Sequence, residues 1–129
     1  MFFDNSFFED LSKKAKESPR LRVNFDLRNS PDDNSQRMLN ALEPGTVLPI
    51  HRHRKSSEIM VVIKGSVKET FYNDNGDITG TWLFKPGENS ILEIPAGQWH
   101  SLECLESGTI IYESKDGKYE PTSSEDILK

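Results

Sequence analysis

At 129 residues the chain has the length of one ordinary globular domain. Hydrophobic residues make up 34% and charged residues 29%, which excludes a disordered tail on one side and a membrane-embedded chain on the other. Sixteen Lys and Arg against 21 Asp and Glu leave a formal net charge of −5, a balance that argues against binding to nucleic-acid backbones.

The first predicted element is a helix over 6–17. Phe7, Phe8, Leu11 and Ala15 form one apolar stripe, and Asn5 or Ser6 can cap its start. Ser18-Pro19 ends it, because proline lacks an amide hydrogen and restricts the residue before it. From about 20 to 115 the chain reads as strands and turns. Leu21, Val23, Phe25 and Leu27 alternate with Arg22, Asn24 and Asp26, and a loop follows over Asn29–Ser35. Further strands are predicted over Arg37–Leu42, Thr46–His53, Glu58–Lys64 and Val67–Tyr72, then Thr79–Phe84, Ser90–Ile94, Trp99–Leu105 and Thr109–Ser114. Asn75-Gly76 is the clearest hairpin turn, since both residues tolerate positive φ. Residues 116–129 read as a polar tail. So many short strands predict an all-β chain, a sandwich or barrel, folded as a single domain over 1–129.

The Met1-Phe2-Phe3-Asp4 start lacks the basic residues of a secretory leader, and the apolar run Ile59–Ile63 is far too short to span a bilayer. The single cysteine, Cys104, excludes an internal disulfide and suits a reducing compartment. Together these features predict a cytoplasmic protein without membrane contact.

The three histidines of the chain are His51, His53 and His100. In an extended segment His51 and His53 point to one side, and Glu58 opens the next strand after a short linker. His100 follows the Pro95-Ala96-Gly97 turn. Imidazoles and a carboxylate aimed at one point suit one divalent transition metal such as Zn, Fe, Mn, Ni or Co.

The spacing Gly45, five residues, His51-x-His53, four residues, Glu58, six residues, Gly65 resembles the first motif of the cupin superfamily, and Pro95-x-Gly97-x-x-His100 resembles the centre of the second. The second motif departs from the pattern at Asn89 and Cys104, where cupins carry glycine and asparagine. Ser18-Pro19-Arg20-Leu21-Arg22-Val23-Asn24, Gln36-Arg37, Asn40-Ala41-Leu42, Pro44-Gly45-Thr46 and Glu113-x-Lys115-x-Gly117-x-Tyr119-x-Pro121 resemble the WbuC family of cupin-fold metalloproteins. The resemblance implies a cupin jelly-roll β-barrel whose metal ligands are His51, His53, Glu58 and His100. It also implies a link to surface-polysaccharide synthesis.

Around that centre, alternation predicts Met60, Val62 and Cys104 as cavity lining, with Cys104 deeper than His100 and not a ligand. Arg22, Asn24 and Arg37 are the candidate anchors for the distal end of a small-molecule ligand. Glu113, Lys115 and Tyr119 are the candidate catalytic groups by resemblance. Because Ile59, Val61 and Ile63 make the central strand apolar on its second face too, either the N-terminal helix or a second copy in a homodimer must cover it. The expected function is a Lewis-acid isomerase, epimerase or lyase acting on a sugar-derived metabolite. An Fe(II) dioxygenase and a non-catalytic metal-dependent binder are the alternatives.

Overall fold

The structure is a computed structural model that describes residues 2–128. Helix α1 (Asn5–Glu17) starts one residue before the expected range, because Asp4 rather than Asn5 or Ser6 caps it: the Phe7 amide donates to Asp4 Oδ1 at 3.0 Å. Replacing Asp4 with alanine should lower unfolding stability by about 1 kcal/mol, read as a shifted urea midpoint with an unchanged slope.

Eight strands follow: β1 (Arg22–Asp26), β2 (Ser35–Leu42), β3 (Glu58–Lys64), β4 (Val67–Tyr72), β5 (Ile78–Phe84), β6 (Ile91–Ile94), β7 (Trp99–Cys104) and β8 (Thr109–Asp116). They form two antiparallel sheets, one of five strands in the order β1-β2-β8-β3-β6 and one of three in the order β5-β4-β7. This two-sheet arrangement is a jelly roll, the fold that the motif resemblance implies. Between the sheets lies an apolar plug that includes Leu42, Met60, Val62, Phe84, Cys104 and Ile111.

Over β1, β2 and β8 the outer face of the larger sheet is covered by α1. Phe8, Leu11 and Ala15 pack on Leu39, Ala41 and Ile110, with Val23, Phe25 and Ile63 at the margin. The apolar stripe of the helix thus finds its partner within the chain, although of Ile59, Val61 and Ile63 only Ile63 belongs to that packing.

Thr46–His53 does not form the expected strand. Pro49 has no amide hydrogen to give a ladder, and the segment runs extended with one isolated bridging residue, His51. His51 exchanges backbone hydrogen bonds with His100 at 3.0 and 2.9 Å on one side and bridges Ile127 on the other. The polar tail is equally well placed. The Arg52 amide donates to Asp126 O at 3.1 Å and the Leu128 amide to Ile50 O at 2.8 Å, so the last described residues run as a strap beside the two-histidine segment.

Candidate metal centre

Three imidazoles converge where the Ile50–His53 segment meets the start of β7. The ligand nitrogens of His51, His53 and His100 lie within 4.8 Å of one another, and the rings of His51 and His100 are 4.4 Å apart. Two of the rings are oriented from behind. His51 Nδ1 lies 2.9 Å from Pro49 O, and His100 Nδ1 lies 2.6 Å from Glu69 Oε1, which turns Nε2 of each ring towards the cluster.

Glu58, at the start of β3, reaches the same place. Its Oε1 lies 3.9 Å from His100 Nε2, and both atoms are buried without a hydrogen-bond partner. Buried polar atoms are rarely left unpaired, since each costs on the order of 1–3 kcal/mol. Two such atoms facing each other in a histidine cluster are what a missing cation would leave. The donor set, neutral nitrogens plus one carboxylate, fits a borderline divalent metal.

Electrostatics keep the imidazoles in the neutral form that binds metals. Burial lowers His51 to about 4, helped by the nearby His100. Burial also lowers His53 to about 3, helped by Lys115, and His100 to about 4. The carboxyls move the other way. Burial, then the adjoining Glu113, pushes Glu58 well above the ordinary carboxyl range. The same two causes push Glu69 to about 9.

The histidines and Glu58 open onto a cavity of about 510 Å³ walled by the inner face of the larger sheet and the strap. Of the expected anchors, Arg22 and Asn24 line it, and so do Glu113, Lys115 and Tyr119. Asn40 Nδ2 donates to Glu113 Oε1 at 3.2 Å. Arg37 does not line it. Gln36, Met38 and Asn40 take the inward positions of β2, and Arg37, of opposite parity, pairs with Asp33 at 3.0 Å instead. Met60 lines the cavity as expected, whereas Val62 and Cys104 do not. Both point inward but lie in the apolar plug, where the Cys104 thiol donates to Glu106 O at 3.2 Å and burial pushes its pKa up. Strand parity gave their side correctly but not their depth.

Two contributors escaped the sequence reading. Glu69 is 1% exposed on β4 and touches His100; the available signal was a carboxylate sharing strand parity with the buried Val67. Asp126, on the strap, accepts from Arg52 Nε at 3.0 Å and Arg54 Nε at 2.6 Å, which holds its carboxyl down at about 2. These pairs tie the strap to the segment carrying His51 and His53. Arg52 also stacks on Trp99, next to His100, with its guanidinium carbon 4.3 Å from the ring centre.

A family model described as a domain of unknown function, DUF6016, matches residues 3–84. No curated protein matches the sequence. Among solved structures, KdgF from Halomonas sp. is 15% identical with a TM-score of 0.63, over 79% of this chain and 84% of that one. The capsular polysaccharide assembling protein CapF from Staphylococcus aureus is 21% identical with a TM-score of 0.67, over 86% of this chain and 32% of that one. A recombinant oxalate oxidase in complex with glycolate is 16% identical with a TM-score of 0.66, over 82% of this chain and 56% of that one. The match thus takes in about a third of CapF and little more than half of the oxalate oxidase. At these identities the likeness concerns the fold, and these neighbours are cupin-fold proteins. No helix among the described residues is long and apolar enough to cross a membrane. With the family model covering well over half of its length, the chain belongs to the DUF6016 family.

Proposed function

We propose that the chain is a metal-binding cupin, one domain over residues 1–129, that uses a divalent transition metal on a small polar, sugar-derived metabolite. The observation that carries this reading is the pair of orphaned buried atoms, His100 Nε2 and Glu58 Oε1, within the histidine cluster. His51, His53, His100 and Glu58 would hold the ion. When bound, it supplies a positive charge that polarises a carbonyl or acidifies a hydroxyl.

The remaining work falls to the chain's own groups. Glu113 and Lys115 sit on β8 beside the cluster, a carboxylate to take a proton and an ammonium to return one. That pairing suits an isomerase, epimerase or lyase. The WbuC resemblance supports a role near surface-polysaccharide synthesis, and CapF, a capsular polysaccharide assembling protein, belongs by its name to the same field.

The test is elemental analysis of the purified protein, with oxygen uptake followed beside it. About one Zn, Mn, Ni or Co per chain without oxygen uptake supports the Lewis-acid reading. Iron with substrate-dependent oxygen uptake replaces it with a dioxygenase, and a chain that binds none of these metals refutes the metal centre.

A further inference from the structure

The cavity has a second pole. Arg22 lies on its wall at the start of β1, with Arg20 beside it. Among the described residues neither arginine has a carboxylate within ion-pairing distance, although the chain carries an excess of acids. Of the other cavity cations, Lys55 and Lys115 likewise have no carboxylate within ion-pairing distance, and three are paired. Arg52 and Arg54 hold Asp126, and Lys118 holds Asp32 at 2.8 Å. Two like charges placed side by side, one of them partly buried, repel each other without compensation. Consistent with this, burial and the neighbouring Arg20 both lower the Arg22 pKa from its ordinary value.

The pair is also held in place. Leu21 between them has φ 56°, a left-handed conformation that costs a leucine about 1–2 kcal/mol. The carbonyls on either side of that strained residue are pinned, Arg20 O by Thr46 Oγ1 at 2.8 Å and Leu21 O by the Glu43 amide at 3.0 Å. One guanidinium nitrogen of Arg22 donates to Val47 O at 2.9 Å, which fixes the fork and leaves its other donors free. Strain retained where it aims functional groups is a recurring mark of a ligand clamp.

We propose that the Arg22–Arg20 pair is an oxyanion subsite, so that the cavity takes a small acid whose far end is a carboxylate or a phosphate ester. This deepens, and rests on, the reading of the histidine cluster as a metal centre. Arg22 is fastened to Val47, four residues before His51, and a chain of that length spans at most about 14 Å, which bounds the distance between the two poles. That interval leaves room for a small organic acid with oxygen donors at its near end. Arginine suits the task because its planar fork meets two oxygens of either anion at once.

Glycerate, malate and 3-phosphoglycerate test the subsite, since all three share a 2-hydroxy acid end and differ in the remote group. Binding to the metal-loaded protein is followed by calorimetry, with metal content measured in parallel. Malate or 3-phosphoglycerate should bind about 10- to 100-fold more tightly than glycerate. Whichever of the two gains more identifies carboxylate or phosphate as the natural group. Arg22→Gln should cancel the preference while metal content stays unchanged.

Equal binding of all three by metal-loaded protein, or a preference that survives Arg22→Gln, overturns the proposal. If the protein holds no metal, inorganic phosphate is titrated instead. Binding of phosphate that Arg22→Gln removes then keeps the subsite and discards the metal centre, and absence of such binding discards both.

Discussion

Replacing His100 with alanine is expected to lower metal affinity by about 100-fold or more, beyond the 10- to 100-fold that loss of a ligand's supporting partner costs. His100 is the member of the cluster fixed most completely. Its backbone belongs to the β7 ladder, its Nδ1 is held by Glu69, and its Nε2 faces Glu58 across 3.9 Å. Truncation removes one nitrogen donor and strands the buried Glu69 carboxyl.

For that reason the comparison needs Glu69→Gln, which keeps a polar partner for Nδ1 and leaves all four proposed ligands in place. That variant should lose about 10- to 100-fold. Competition against a chelator, with circular dichroism to confirm folding, gives both numbers. Full occupancy in His100→Ala would remove the residue from the ligand set. An unchanged affinity in Glu69→Gln would show that the carboxyl is structural.

The largest stability loss is expected at Gly65→Ala, about 2–5 kcal/mol when the left-handed penalty is added to the cost of overpacking. Gly65 lies in the turn between β3 and β4 with φ +78°, and an added Cβ would sit 2.7 Å from Thr109 Cα and against Thr109 Oγ1. Thr109 cannot retreat. It is fully buried, its hydroxyl donates to Glu106 O at 2.7 Å, and it belongs to the β8 ladder. Gly87→Ala is the control, since its φ of +82° carries the same backbone penalty but its Cβ would meet nothing within 4 Å. Urea unfolding of both separates the two costs. A Gly65→Ala loss no greater than that of Gly87→Ala would mean that Thr109 gives way.

Much of this arrangement was legible in the sequence, because the relevant signals are local. Glu58–Lys64 and Val67–Tyr72 are bounded as read, since glycine and asparagine turns delimit them. The helix follows from its stripe, and the histidine spacing points to one cluster. What was not legible depends on which face of each strand looks inward.

In β2 the more polar face, with Gln36 and Asn40, turns to the interior because the interior there is a polar cavity. The apolar face, with Leu39 and Ala41, turns out beneath α1. A reading that sends polar side chains towards solvent cannot sort Arg37 from Asn40. Glu69 was missed for the same reason. A lone carboxylate on a strand reads as exposed until the histidine it holds is placed opposite it.

The loose pairing of the His51 segment has a consequence for how the centre opens. Glu58 and His100 stand on continuous ladders, whose amides should exchange with solvent only in large-scale unfolding, whereas His51 has a single bridging partner on each side. The segment can therefore detach together with the strap while both sheets stay intact. Half of the proposed donor set belongs to a unit held by few hydrogen bonds, and half to the ladders of the barrel. In such a protein the exchange rate of an ion is governed by a local opening of a few hydrogen bonds, so it can be fast in a chain whose global unfolding is slow.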